Sequence, residues 1–102
     1  MENNINEAVR SAAERIENTD STEDIDPLDA TFRVSMDNTI QCIELQLTVG
    51  GPNIELMLNG NGGTVRGNWG TEKQSIPLFK NEDLLNELYR QYKTQFNVAN
   101  DY

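Results

Sequence analysis

The chain has 102 residues, with 17 Asp and Glu against eight Lys and Arg, no His and one Cys, and a net charge of −9. That length holds one domain with a modest core and leaves little room for a large cofactor pocket. Without His the commonest general base, zinc ligand and activator of Ser or Cys is missing, and apolar runs of two or three residues fall far short of the roughly 20 that cross a bilayer.

Charge is placed unevenly. Residues 1–29 hold nine acids against Arg10 and Arg15, a balance of −7, whereas residues 30–102 hold eight acids against six bases, a balance of −2. The first segment is therefore an acidic block, and the second reads as the sheet-and-helix body of a single globular domain. No secretory leader shows in residues 1–18, and the lone Cys42 cannot close an internal disulfide, so the expectation is a cytoplasmic protein.

Ile5, Ala8, Val9, Ala12, Ala13 and Ile16 recur at intervals of three and four, which predicts a first helix. Asn4 followed by Glu7 is a loose capping box and places the start at Ile5. Half of this stripe is alanine, so the helix can lie close against a neighbour but should add little burial by itself. The stretch TDSTEDIDPLD has no period and reads as a linker or loosely held loop. Its acids lack the turn glycine and closing Glu of a calcium loop, so no metal site is expected.

From Thr31 the period becomes two. Phe32, Val34 and Met36 alternate with Arg33 and Ser35; Ile43, Leu45, Leu47 and Val49 alternate with Glu44, Gln46 and Thr48; Ile54, Leu56 and Leu58 alternate with Asn53, Glu55 and Met57. Thr64 to Trp69 and Lys73 to Leu78 continue the pattern, and these segments read as half-buried strands. Pro77 cannot donate a ladder hydrogen bond and points to an edge strand.

All seven glycines fall within residues 47–70. Gly50-Gly51-Pro52 and Gly60-Asn61-Gly62-Gly63 separate alternating runs, as hairpin turns do. A phosphate-binding loop would lead into a helix N-terminus, whereas these clusters lead into further strands, so no nucleotide or other cofactor is expected. Gly67, inside a strand beside Trp69, marks a bulge or a close approach, with the indole as its expected cover.

The last segment, NEDLLNELYRQYKTQF, reads as a helix. Asn81 is a favourable N-cap, Glu82 and Asp83 suit the positive end of the helix dipole, and Leu84, Leu85, Leu88, Tyr92 and Phe96 form one stripe with Tyr89 at its margin. The expected fold is α+β: an antiparallel meander of four to five strands, one face covered by the C-terminal helix, with the N-terminal helix beside it or out on its own.

The combination Thr48-x-Gly50-Gly51-Pro52, an alternating strand, Trp69-Gly70 and a short C-terminal helix resembles a pattern in small uncharacterised proteins of phage, plasmid and archaeal genomes. The resemblance spans residues 41–96. It implies a strand–turn–strand core and a mobile-element setting, in which small acidic proteins often occupy a host protein, and it brings no functional residues with it.

Three functions follow for comparison. The first is a non-enzymatic binder that docks on a basic protein surface, in one version as a mimic of nucleic-acid charge. It would use Glu14, Glu17, Asp20, Glu23, Asp24, Asp26 and Asp29, while net charge disfavours direct contact with nucleic acid or membrane. The second is a module that takes a peptide, or a second copy as a homodimer, on the polar sheet face around Met57, Arg66 and Asn68 or on a free edge. The third is an enzyme, for which Glu44 and Glu55, on one face of adjacent strands, are the available acid/base pair. Like charges on a wet sheet are more often simply tolerated, and Cys42 has no His to activate it, so catalysis is not expected.

Overall fold

Five strands cross one antiparallel sheet in the order in which they occur: β1 (Asp29–Val34), β2 (Ile40–Thr48), β3 (Asn53–Asn59), β4 (Gly62–Trp69) and β5 (Glu72–Leu78). Helix α1 (Ile5–Glu17) precedes them and α2 (Glu82–Ala99) follows, in a computed structural model that describes residues 5–37, 39–60 and 62–99. The meander follows from short links, since a tight turn returns the chain beside the strand it has just left.

Alternation sorts the side chains. Ala30, Leu45, Leu56, Val65 and Ile76 are successive register partners across all five strands and form one apolar row on the helix-covered face. Leu45, Leu56 and Val65 are fully buried, each stabilising the fold by about 1.5–3 kcal/mol. Gly50 and Gly70 hold φ of +91° and +65° in their turns, a region that L-residues with a Cβ rarely adopt. β4 begins at Gly62, two residues before its alternation becomes visible, because Gly62 and Gly63 already pair with Asn59 and Leu58. β5 pairs with β4 alone, so Pro77 does sit on an edge strand.

Both helices cover the same face. Helix α2 sets Leu84, Leu85 and Leu88 into the core over β2–β4, with Tyr89, Tyr92 and Phe96 half-buried beside them. Phe96 meets Phe32 of β1 at 5.0 Å between ring centres. Helix α1 lies beside α2 over β4 and β5, and its thin stripe contributes more than its composition suggests, with Ile5, Val9, Ala13 and Ile16 all buried. Close approach makes this possible. A Cβ at Gly67 would lie 2.5 Å from Val9 Cγ2 and 3.0 Å from Ile5 Cδ1, so the cover over Gly67 is α1, while Trp69 packs half-buried against the core.

Three local expectations are corrected. Val34 ends β1, and Met36 lies fully exposed in a turn where the Asp37 carboxylate accepts from the Ser35 hydroxyl and from the Thr39 amide, 3.1 Å away. The segment between α1 and β1 is tied down: Ser21 caps a 3₁₀ turn at Thr22–Asp24, Ile25 packs on the core, and Gln91 Nε2 donates to Thr22 Oγ1 at 3.0 Å. Asn81 does stand at the N-cap of α2, its carbonyl accepting from the Leu85 N–H at 3.1 Å, but it does not turn its side chain to its own helix. At φ +66°, it sends its amide to the carbonyls of Ile16 (3.1 Å) and Thr19 (2.7 Å), joining the end of α1 to the start of α2. The expected cap at Asn4 and the turn residue Asn61 lie outside the described residues.

Candidate functional site

The uncovered face of the sheet carries the odd-numbered residues of β1 and the polar set of the other strands. Glu55 of β3 and Arg66 of β4 are direct register partners, and Arg66 Nη2 donates to Glu55 Oε1 at 3.0 Å. The same nitrogen reaches over β3 to Glu44 Oε2 of β2 at 3.2 Å, and Arg33 Nε of β1 donates to that oxygen at 3.1 Å. Four strands are thus joined by two carboxylates and two guanidinium groups. The network explains how Glu44, only 7% exposed, can sit on a face without a helical cover: both cations lie over it.

Electrostatics follow from that arrangement. The bonded Glu55 carboxylate holds the Arg66 guanidinium still more firmly protonated. Burial, and then the Glu44 charge, push the Cys42 thiol upward, so it remains protonated and poorly nucleophilic at neutral pH. Beside the network, Glu55, Arg66, Asn68, Lys73 and Ser75 border an open depression of about 350 Å³, where Asn53 Nδ2 also donates to Asn68 Oδ1 at 3.2 Å. Met57, Arg66 and Asn68 therefore share one face, as alternation implied. Glu44 and Glu55 also share it, but they meet through Arg66. Sequence reasoning missed that pairing, although Arg33 and Arg66 fall on the polar phase of their strands and were available to neutralise both carboxylates.

Of the seven acids from Glu14 to Asp29, all but Asp29, which begins β1 on this open face, lie elsewhere. Glu14 and Glu17 stand on the last turns of α1, Asp20 follows, Glu23 and Asp24 belong to the 3₁₀ turn, and Asp26 leads into β1. All but the half-buried Glu17 are exposed. Arg15, Thr19, Asp24, Asp26 and Leu47 line a small crevice of about 40 Å³, which brings the end of α1, the turn and β2 together. Asp26 is near enough to Tyr92 to add to the effect of burial in raising its phenol pKa. Among the described residues no Lys or Arg comes within ion-pair distance of any of these seven carboxylates. They form an acidic ridge held in place by the Asn81 and Gln91 hydrogen bonds.

Among the described residues, no three His, Cys, Asp or Glu side chains are grouped so as to hold a metal ion, and no helix is long and apolar enough to cross a membrane. The chain matches no protein-family model, and no curated protein or solved structure is significantly similar to it.

Proposed function

We propose that this chain is a small acidic, non-enzymatic binding protein that docks on a basic protein surface through the ridge of residues 14–29 and thereby blocks or regulates that surface. The observation that carries the proposal is the contrast between its two sets of carboxylates. Glu44 and Glu55 are neutralised by Arg33 and Arg66, whereas none of the seven ridge acids, six of them exposed and Glu17 half-buried, has a cation within ion-pair distance among the described residues. A one-sign field on a shaped ridge attracts a basic partner and speeds encounter with it, as phosphates would, which is the sense in which the ridge is a nucleic-acid mimic. A cytoplasmic, mobile-element setting is part of the proposal, supported by the single thiol and by the Thr48–Trp69 sequence likeness.

A second reading, peptide capture on the open sheet face around Met57, Arg66 and Asn68, is favoured by the depression there. It is the weaker of the two because a ligand would have to compete with two carboxylates for Arg66. Titration with an oligolysine peptide, followed by amide NMR, separates them. We expect shifts centred on residues 14–29, affinity that falls steeply with salt, and marked weakening on neutralising Glu23, Asp24 and Asp26 together as Gln, Asn and Asn. Matched neutralisation of Glu82, Asp83 and Glu87 on α2 should have little effect. Equal effects of the two triple variants, or shifts centred on Arg66, would overturn the ridge proposal.

A further inference from the structure

The two edges of the sheet are not equivalent. β5 carries Lys73 and Pro77, whose charge and missing N–H discourage a further strand, whereas β1 has neither lysine nor proline within Asp29–Val34. The Ala30 N–H donates to the Asp29 carboxylate at 2.9 Å, the local bond of an edge amide with no strand beyond it. Leu28 is 63% exposed and Val34 36% exposed, so apolar side chains stand uncovered at both ends of this edge.

Residues 28–34 read Leu-Asp-Ala-Thr-Phe-Arg-Val, and the segment is complementary to itself about Thr31. We infer that β1 pairs antiparallel with β1 of a second copy, across a two-fold axis at Thr31, to make a continuous ten-stranded sheet. In that register Asp29 lies opposite Arg33 of the second copy, Ala30 opposite its Phe32 and Leu28 opposite its Val34, and each pair occurs twice. Residues opposite one another in such a pair share a face. The Asp29–Arg33 pairs then fall on the open face, and the Ala30–Phe32 pairs on the helix-covered face. Centring the axis on Ala30 or Phe32 separates the two charges and leaves them without this match. Arg33 is free to take the role: it holds Glu44 through Nε, and its side chain is 61% exposed. Asp29 turns from the Ala30 amide to the incoming guanidinium, which releases that amide to the new ladder.

The dimer takes only Asp29 from the ridge, leaving the other six acids as they are, so it stands without the ridge proposal, and self-association is its own readout. Sedimentation of the full chain from about 10 μM to about 1 mM, at about 0.15 M salt where the Debye length is roughly 8 Å, limits repulsion between copies of charge −9. We expect a concentration-dependent shift to twice the monomer mass. Asp29→Arg and Arg33→Asp should each weaken it about tenfold or more, because both pairs become like-charged. Mixing these two variants should restore a dimer, since opposite charges face each other at both positions of the mixed pair. Should Arg33→Asp fail to fold beside Glu44, hydrogen exchange on the natural chain decides: the Ala30 and Phe32 amides gain protection as concentration rises. A monomer at every concentration, amides without added protection, or a dimer indifferent to Asp29→Arg would each overturn the inference.

Discussion

Gly67→Ala tests how α1 is seated. The added Cβ would stand 2.5 Å from Val9 Cγ2, 3.0 Å from Ile5 Cδ1 and 3.4 Å from the Asn53 carbonyl oxygen. Val9 is fully buried, and a β-branched side chain on a helix has one strongly preferred rotamer, so it cannot swing aside; the helix has to lift or the strand has to bend. Overpacking of this kind costs about 1–3 kcal/mol, while the stiffer unfolded chain of the Ala variant offsets about 0.4–1 kcal/mol. The net expectation is a loss of about 1–2 kcal/mol, or a fall in Tm of about 5–15 °C for a domain of this size. Thermal unfolding by circular dichroism, with Trp69 fluorescence as a second probe, measures it. The decisive comparison is with Val9→Ala, which alone should cost about 2 kcal/mol but at least about 1 kcal/mol less when Gly67 is already Ala, because the clashing methyl has gone. An unchanged or raised Tm in Gly67→Ala, or strictly additive costs in the double variant, would mean that α1 does not rest on Gly67.

Arg66→Leu leaves Glu55 without its cation and Glu44 with Arg33 alone, and should cost about 1–3 kcal/mol in urea unfolding at neutral pH, more than Glu55→Gln does. Asn81→Gly keeps the backbone freedom needed at φ +66° but loses the bonds to Ile16 and Thr19, for an expected cost of about 1 kcal/mol; Asn81→Ala adds the strain of a Cβ there and should be the worse of the two by a similar measure. The Ser35 hydroxyl, and after it Thr39, hold the Asp37 carboxyl below the usual carboxylate range. A depressed folded pKa stabilises above the unfolded value near 3.9, and that stabilisation disappears as pH falls through the lowered value. Carboxyl NMR titration should therefore place Asp37 below the ordinary Asp midpoint, and Ser35→Ala should move it back up; a midpoint unmoved by Ser35→Ala would remove the assigned cause.

Much of this architecture is written locally. The period-two runs from Phe32 to Leu78, broken by glycine pairs, demand neighbouring antiparallel strands, and the Leu84–Leu88–Tyr92 stripe demands a helix over one face. The placement of Pro77 on an edge is legible for the same reason, because a missing N–H is a property of the residue itself. The polar face was legible in membership but not in partnership. Alternation assigns Glu44, Glu55 and Arg66 to one side, whereas the meeting of Arg66 with Glu44 depends on how β2, β3 and β4 are staggered, including the irregularity between Gln46 and Thr48.

What the sequence determined by itself is therefore whatever repeats along the chain at the pitch of a strand or helix: element type, element order, the apolar side of each, and the accumulation of acids before Ala30. Tertiary structure alone decided that α1 docks on Gly67, that the Asn81 side chain serves the preceding helix end instead of its own, and that Glu44 and Glu55 meet cations while, among the described residues, the acids from Glu14 to Asp29 do not. The physical reason is range. Periodicity and turn chemistry act between residues a few positions apart, but the contacts between Val9 and Gly67, or Asn81 and Ile16, join segments roughly 60 residues apart. Such contacts exist only after the core has brought the two segments together.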